Sequence, residues 1–568
     1  MLIKIIAVVW SLTFLQVLAS PSSDQPGDDP GLYVTLNEPK NSTIKGSLLT
    51  SFLGRYYYAF RDVPYAMPPV GKRRFKEPEP VEAWKGVYTA TESTKMCTQN
   101  IYNFTENTKM GTQSGAVITG DEDCLYLNVY TPVNAKNTTK RLPVFFWIHG
   151  GGFVIGSGGY DRQNPYYFMD EEIVVVTINY RLGILGFLST EDSVIPANLG
   201  LRDQWLALEW TRANIDRFGG DFENIVIGGE SAGAASVGYH VLGIEQKQIF
   251  SGAFMASGTC MSTWAYQEKP KERALKVARK LDKHFDSTDS ASILALLQNV
   301  TSESLLGNCS EEQSYVDWVS VLPNDKYGYR PPTDAIDTQV FLLVPILLGF
   351  NSEESLCPLS TGNTTGDFWK RAKELDDDPS QILGVLKVGQ QNATQLGIEL
   401  RKLYTNGLFV DDIPALVRYM SDYRFVTATT KHARMASHFV PTYLYEFSFK
   451  SSTAQNSTVP GINGTCHAED LRFYWKNAFF PIPEKEWIVT RKFVRIISNF
   501  VKYKRPMPIP DRGDPDPLFE NATWPGVRPN DIVYMNFGEH FKLERNPRNF
   551  STIEAFLDKH LVQPIYVY

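Results

Sequence analysis

The chain has 568 residues, of which 43% are hydrophobic and 21% charged, and carries a net charge of −7. It is long and apolar enough to bury a large core, and no tract has the composition of a disordered chain. It lacks the basic stripe a nucleic-acid partner requires. At the N-terminus Lys4 precedes an apolar run from Ile5 to Leu18, followed by Ala19 and a polar stretch. This is the pattern of a cleaved leader over residues 1–19, and the apolar run is shorter than the ~20 residues that span a bilayer. A short segment, 20–29, then leads into one domain expected over 30–568. Asn-X-Ser/Thr sequons stand at Asn41, Asn103, Asn137, Asn299, Asn308, Asn363, Asn392, Asn456, Asn463, Asn521 and Asn549. With no retention signal or hydrophobic tail at the C-terminus, the expectation is a soluble, secreted, extracellular glycoprotein without a membrane span.

In chain order, Leu142–Ile148 is a near-continuous apolar run that ends in His149-Gly150-Gly151-Gly152-Phe153. A second such run is Glu172–Ile178, and Asn224–Ile227 is a third. Buried parallel strands read this way because helices cover both faces. Between the last two, Leu201–Phe218 has a helical apolar period, with Asn198 and Asp203 as residues to start it. Helices are expected again at Lys271–Leu281, Ala291–Asn299 and Gln395–Asn406, and strands at Val344–Phe350 and Thr442–Ser448. Strand–helix–strand order implies right-handed crossovers and an α/β fold with a large, mostly parallel central sheet.

The chemistry concentrates at loops that follow these strands. Gly229-Glu230-Ser231-Ala232-Gly233 lies between the third strand and a small-residue helix, Ala234–Tyr239, the setting of a nucleophile elbow. The glycine run at 150–152 lets backbone N–H groups converge on one point. With the N–H of Ala232, those of Gly151 and Gly152 are expected to form an oxyanion hole. No Lys-Ser/Thr follows the run, which sets aside a phosphate loop. A serine hydroxyl needs a base and an acid. His467 stands in a turn-rich loop after the Thr442–Ser448 run, whereas His149 belongs to the glycine motif and His432 and His438 to a helical stretch. Glu353 and Glu354 follow the Val344–Phe350 run directly and, on residue chemistry, are equivalent as the acid.

Taken together, these blocks resemble the type-B carboxylesterase and cholinesterase family, of α/β-hydrolase fold, along nearly the whole mature length. The matching segments are Phe75–Pro80, Glu122–Tyr130, His149–Phe153, Asn179–Gly183, Asn198–Gln204 and Gly229–Gly233. The resemblance implies a serine esterase with Ser231, Glu354 and His467 as its triad, choosing Glu354 over Glu353. It also implies a Cys97–Cys124 disulfide and scaffold ion pairs Arg74–Glu122 and Arg181–Asp203. Glu230 and Ser257 are expected to support the triad from behind.

The loop from Cys97 to Cys124 holds no tryptophan, and Cys357 stands where cholinesterases carry an aromatic residue, so choline esters are not the expected substrate. The likeness is strongest to secreted insect carboxylesterases, which act on hormone, odorant, pheromone and xenobiotic esters. Glu230 occupies the place where juvenile-hormone esterases typically carry glutamine. A small, apolar ester is expected as substrate, with no cofactor and no metal, since no cysteine or histidine spacing suits one. Cys260, Cys309, Cys357 and Cys466 allow three pairings, and Cys357 with Cys466 would join the acid and base loops. The alternative is an inactive adhesion relative of the same fold, which usually loses a triad member and gains a membrane span.

Overall fold

The computed structural model describes residues 29–568 except 102–116, 135, 137–138, 244–248, 268, 309–342, 357–363, 390–391, 455–458, 478–480, 508–516, 520–521 and 563–566. The expected leader, Cys309, Cys357 and the sequons at Asn103, Asn137, Asn363, Asn456 and Asn521 lie outside the described residues, as does the side chain of Asn308.

An eleven-stranded sheet forms the centre of the fold. Its strands are β1 (Ser47–Thr50), β2 (Tyr56–Pro64), β3 (Tyr126–Thr131), β4 (Leu142–Ile148), β5 (Val174–Ile178), β6 (Gly220–Glu230), β7 (Gly252–Ala256), β8 (Ile346–Asn351), β9 (Thr442–Phe447), β10 (Val533–Phe537) and β11 (Phe541–Arg545). They lie in the order β11-β10-β9-β8-β7-β6-β4-β5-β3-β2-β1. From β10 through to β5 all pairings are parallel, and antiparallel strands close both edges.

The apolar run of β4 is explained by its two buried faces. Val144, Phe146 and Ile148 join one core cluster, which includes residues of helix α1 (Leu199–Asn214) and helix α2 (Ala232–Leu242). Phe145 and Trp147 join another, beneath Phe493 and Ile497 of a helix over Trp487–Tyr503. A sheet covered on both sides needs apolar residues at successive positions, not at alternate ones.

The register decides where chemistry can gather. Gly229 pairs with Ile148, Glu230 with Ala256, Ala256 with Gly349, and Asn351 with Phe447. The carboxyl ends of β4, β6, β7, β8 and β9 therefore finish level, and the loops that leave them share one edge, where open α/β sheets hold ligands.

Two expectations need correction. Asn198 adopts a left-handed conformation (φ 60°) and makes no side-chain cap for α1. Asp203 does not help start that helix either, because its carboxylate is spent on Arg181, 2.7 Å away and nearly as buried. The helix expected over Gln395–Asn406 is the shorter Ala393–Arg401, capped by the Asn392 side chain on the N–H of Gln395. The Arg181–Asp203 and Arg74–Glu122 pairs both form, as does the Cys97–Cys124 disulfide.

Candidate active site

Ser231 sits between β6 and α2 with φ 54° and ψ −121°, a conformation L-residues seldom adopt. The turn holds because its surroundings over-determine it. The Ser231 N–H donates to the carbonyl of Ala256 at 2.9 Å. A Cβ on Gly233 would lie 2.1 Å from the carbonyl oxygen of Ile148, so only glycine lets α2 approach β4. The strained turn lifts the hydroxyl off the sheet edge, and Ser231 is 8% exposed.

His467 meets it from the other half of the chain. Its Nε2 is 2.9 Å from Ser231 Oγ, and its Nδ1 is 2.7 Å from Glu354 Oε2. Glu354 is fully buried, and its second oxygen accepts from the N–H of Asn351 at 2.7 Å. The His467 N–H also donates to the Glu354 carbonyl, 3.1 Å away, so backbone as well as side chain joins the two loops. Asn351 completes the link, donating from Nδ2 to the carbonyl of Cys466 and to Asp470.

The two glutamates part company here. Glu353 turns the other way, with Oε2 3.3 Å from an Arg548 nitrogen. Glu354 alone of the two meets the imidazole.

Glu230 comes closer than expected. Its Oε1 is 3.2 Å from His467 Nε2, so that nitrogen faces both the hydroxyl and a carboxylate. Burial pushes the Glu230 carboxyl up to about 8, against the pull of His467. For His467 burial alone would lower the pKa, but the carboxylates of Glu230 and Glu354 outweigh it and the net shift is upward. Burial likewise lifts Asp470 to about 6. An imidazole held between a hydroxyl and a buried carboxylate is able to take the hydroxyl's proton.

The glycine loop closes the third side. A Cβ on Gly150 would fall 2.5 Å from Glu230 and 3.0 Å from the Cβ of Ser231, so the loop lies directly against the elbow. Among the described residues, the N–H groups of Gly151, Gly152 and Ala232 donate to no protein acceptor. Three free donors beside the Ser231 hydroxyl suit a developing oxyanion. His149 plays no such part: it is buried on Tyr180, its ring bonded to the Gly150 carbonyl, and burial pulls it down to about 4. Ser257 stands beside Ala256 with φ 52°, its hydroxyl buried and without a partner among the described residues.

Three aromatic or charged neighbours escaped the sequence reading. The Phe425 ring lies 4.5 Å from the imidazole. Trp264 is 5.7 Å from Phe425 and 6.4 Å from Phe153, and donates to the carbonyl of Arg424. Their signal is absent from the sequence because they arrive from separate segments.

The remaining cysteines do not all pair. Cys260 is a free, buried thiol that burial pushes up to about 12. Cys466 is disulfide-bonded, and its partner lies outside the described residues. Among the described residues no cluster of His, Cys, Asp or Glu is arranged to hold a metal, and no helix is long and apolar enough to cross a membrane.

The chain is similar over most of its length to known proteins. The sequence profile described as the carboxylesterase family matches residues 33–552. The chain is 30% identical to venom carboxylesterase-6 of Apis mellifera over 552 residues, 90% of this chain and 93% of that one. It is 34% identical to a carboxylic ester hydrolase of Bombus ignitus, over 75% of this chain and 78% of the other. A juvenile hormone esterase of Tribolium castaneum is 28% identical over 88% of this chain and 89% of its own.

Proposed function

The chain belongs to the carboxylesterase family and is a carboxylic ester hydrolase; from that premise we propose that it works through an acyl-enzyme on Ser231. The observation that carries the proposal is the unbroken line from Ser231 Oγ through His467 to the buried Glu354. Ser231 attacks the ester carbonyl as His467 takes its proton at Nε2. Glu354 holds the Nδ1–H tautomer and stabilises the imidazolium. The N–H groups of Gly151, Gly152 and Ala232 receive the oxyanion, each worth about 3–4 kcal/mol of transition-state stabilisation. His467 then protonates the leaving alcohol, and water delivered by the same base frees the acid.

Phe425, Trp264 and Phe153 give the site apolar walls, which favours an ester with an apolar body. Hormone, odorant, pheromone and xenobiotic esters are the classes we put forward. We place the catalytic domain over residues 30–568 and the protein outside the cell. The leader-like residues 1–19 support secretion. So does the exposure of the sequon residues Asn41, Asn299, Asn392, Asn463 and Asn549. Cys466 is proposed to pair with Cys357, because the adjacent His467 already bonds the backbone of Glu354, three residues before Cys357. Non-reduced peptide mapping tests this, and a Cys309–Cys466 peptide would refute it.

The functional test is hydrolysis of p-nitrophenyl butyrate by the secreted wild type and Ser231→Ala. Turnover by the wild type with near-complete loss in the variant is expected. Equal rates in both would place the reaction elsewhere.

A further inference from the structure

The residues that wall His467 come from an irregular helix. A helix over Ile413–Ser421 continues into Thr427–Ala436 through a π-turn at Asp422–Val426. Such turns widen the helix, throw side chains out of register and occur often at functional sites. This one delivers two neighbours: Phe425, against the imidazole, and Arg424, whose guanidinium carbon is 5.7 Å from the centre of the Phe425 ring. The Arg424 backbone is pinned by Trp264, whose Nε1–H donates to its carbonyl at 2.8 Å. The ring edge of Trp264 lies against Gly258, beside the carbonyl of Ser231.

Arg424 differs from the other arginines set into the fold. Arg181 holds Asp203, Arg74 holds Glu122, Arg401 holds Asp376 and Arg548 holds Glu353. Among the described residues, the guanidinium of Arg424 makes no hydrogen bond and no ion pair. It is close enough to Glu354 and His467 to act on both electrostatically. Burial lowers its pKa, yet an arginine remains charged, with five donors in a planar fork. The residue is partly exposed, so its fork is open to an incoming group, and the group that best fits it is a carboxylate.

We propose that Arg424 is a specificity residue that selects esters carrying a carboxylate at the end remote from the scissile bond, such as half-esters of short dicarboxylic acids. The inference rests on the triad reading above and narrows it: the substrate has an apolar body, packed on Phe425 and Trp264, and an anionic tail. The guanidinium carbon and the imidazole lie 5.7 Å and 4.5 Å from the centre of the Phe425 ring, which brings both within reach of one short dicarboxylic chain. The tail replaces the water that otherwise solvates Arg424, so the charge pairs only when substrate is bound. That arrangement rewards the anionic ester over its neutral analogue.

The test compares p-nitrophenyl hydrogen glutarate with its methyl-capped, neutral counterpart. Wild type is expected to favour the charged ester by roughly tenfold in kcat/KM, chiefly through KM, with the preference shrinking as salt is added. In Arg424→Gln the ratio collapses toward one, and Arg424→Lys retains part of it. A residue that only props up the site would lower both rates together and leave the ratio unchanged, which overturns the proposal. A wild type that shows no preference for the charged ester also overturns it. Hydrolysis of neither ester by wild type would instead overturn the triad reading itself.

Discussion

The serine side and the histidine side of the site are built in different ways. Ser231 is fixed by backbone: a strained turn, an N–H bonded to the next strand and glycines that admit α2 against β4. His467 is fixed chiefly by side chains, among them Glu354, Asn351 acting through the Cys466 carbonyl, and Phe425, with one backbone bond to the Glu354 carbonyl. Backbone positioning tolerates little change at its glycines. Side-chain positioning concentrates its sensitivity in a few buried polar groups.

The sharpest break in that contrast comes on the histidine side. Glu354→Gln keeps the shape but presents the wrong hydrogen-bond pattern to Nδ1, and kcat for p-nitrophenyl butyrate is expected to fall about 10⁴-fold. Glu353→Gln, one residue away and turned toward Arg548, is expected to change kcat far less. Comparable losses in both would show that the geometry does not separate them.

On the backbone side, Gly151→Ala would put a Cβ 2.0 Å from the carbonyl oxygen of Ile155 at a φ of 104°. The loop must shift, and the loss of one oxyanion donor is expected to cost about 10²–10³ in kcat. Next comes the scaffold that holds the strand ends in register. Asp203→Asn leaves Arg181 buried without its counter-charge, at a cost of about 3–5 kcal/mol in urea-unfolding stability. Activity per folded molecule is expected to persist, because the pair touches none of the reacting groups.

The smallest effect concerns pH. His467 acts as a base only when neutral, so kcat/KM rises as pH climbs through its pKa, which lies above the ordinary 6.5. Glu230 favours the imidazolium to the extent that it ionises beside it, so Glu230→Gln moves the acid limb of the profile to lower pH. An unmoved limb would remove Glu230 from the account.

The same contrast explains what was legible in the sequence. Leu142–Ile148 forms a strand with the predicted bounds, and the elbow lies where the glycines and apolar run place it, since both signals are local. Asp203 misled only as a helix starter: its pair with Arg181 was implied by the family resemblance, but Arg181 lies on another element and a helix-start pattern carries no trace of that bond. Glu353 and Glu354 stayed equivalent on residue chemistry because their difference is one of direction, set by His467 and Arg548 over a hundred residues away. Phe425 and Arg424 were illegible for a further reason: nothing in Asp422–Val426 announces a π-turn.

The account turns on whether Ser231 carries the acyl group. Intact mass and peptide mapping after brief exposure to p-nitrophenyl diethyl phosphate measure this directly. The prediction is one diethylphosphoryl adduct on the peptide containing Ser231, absent from Ser231→Ala and strongly slowed in His467→Ala. Esterase activity that persists without that adduct, or an adduct on another residue, would contradict it.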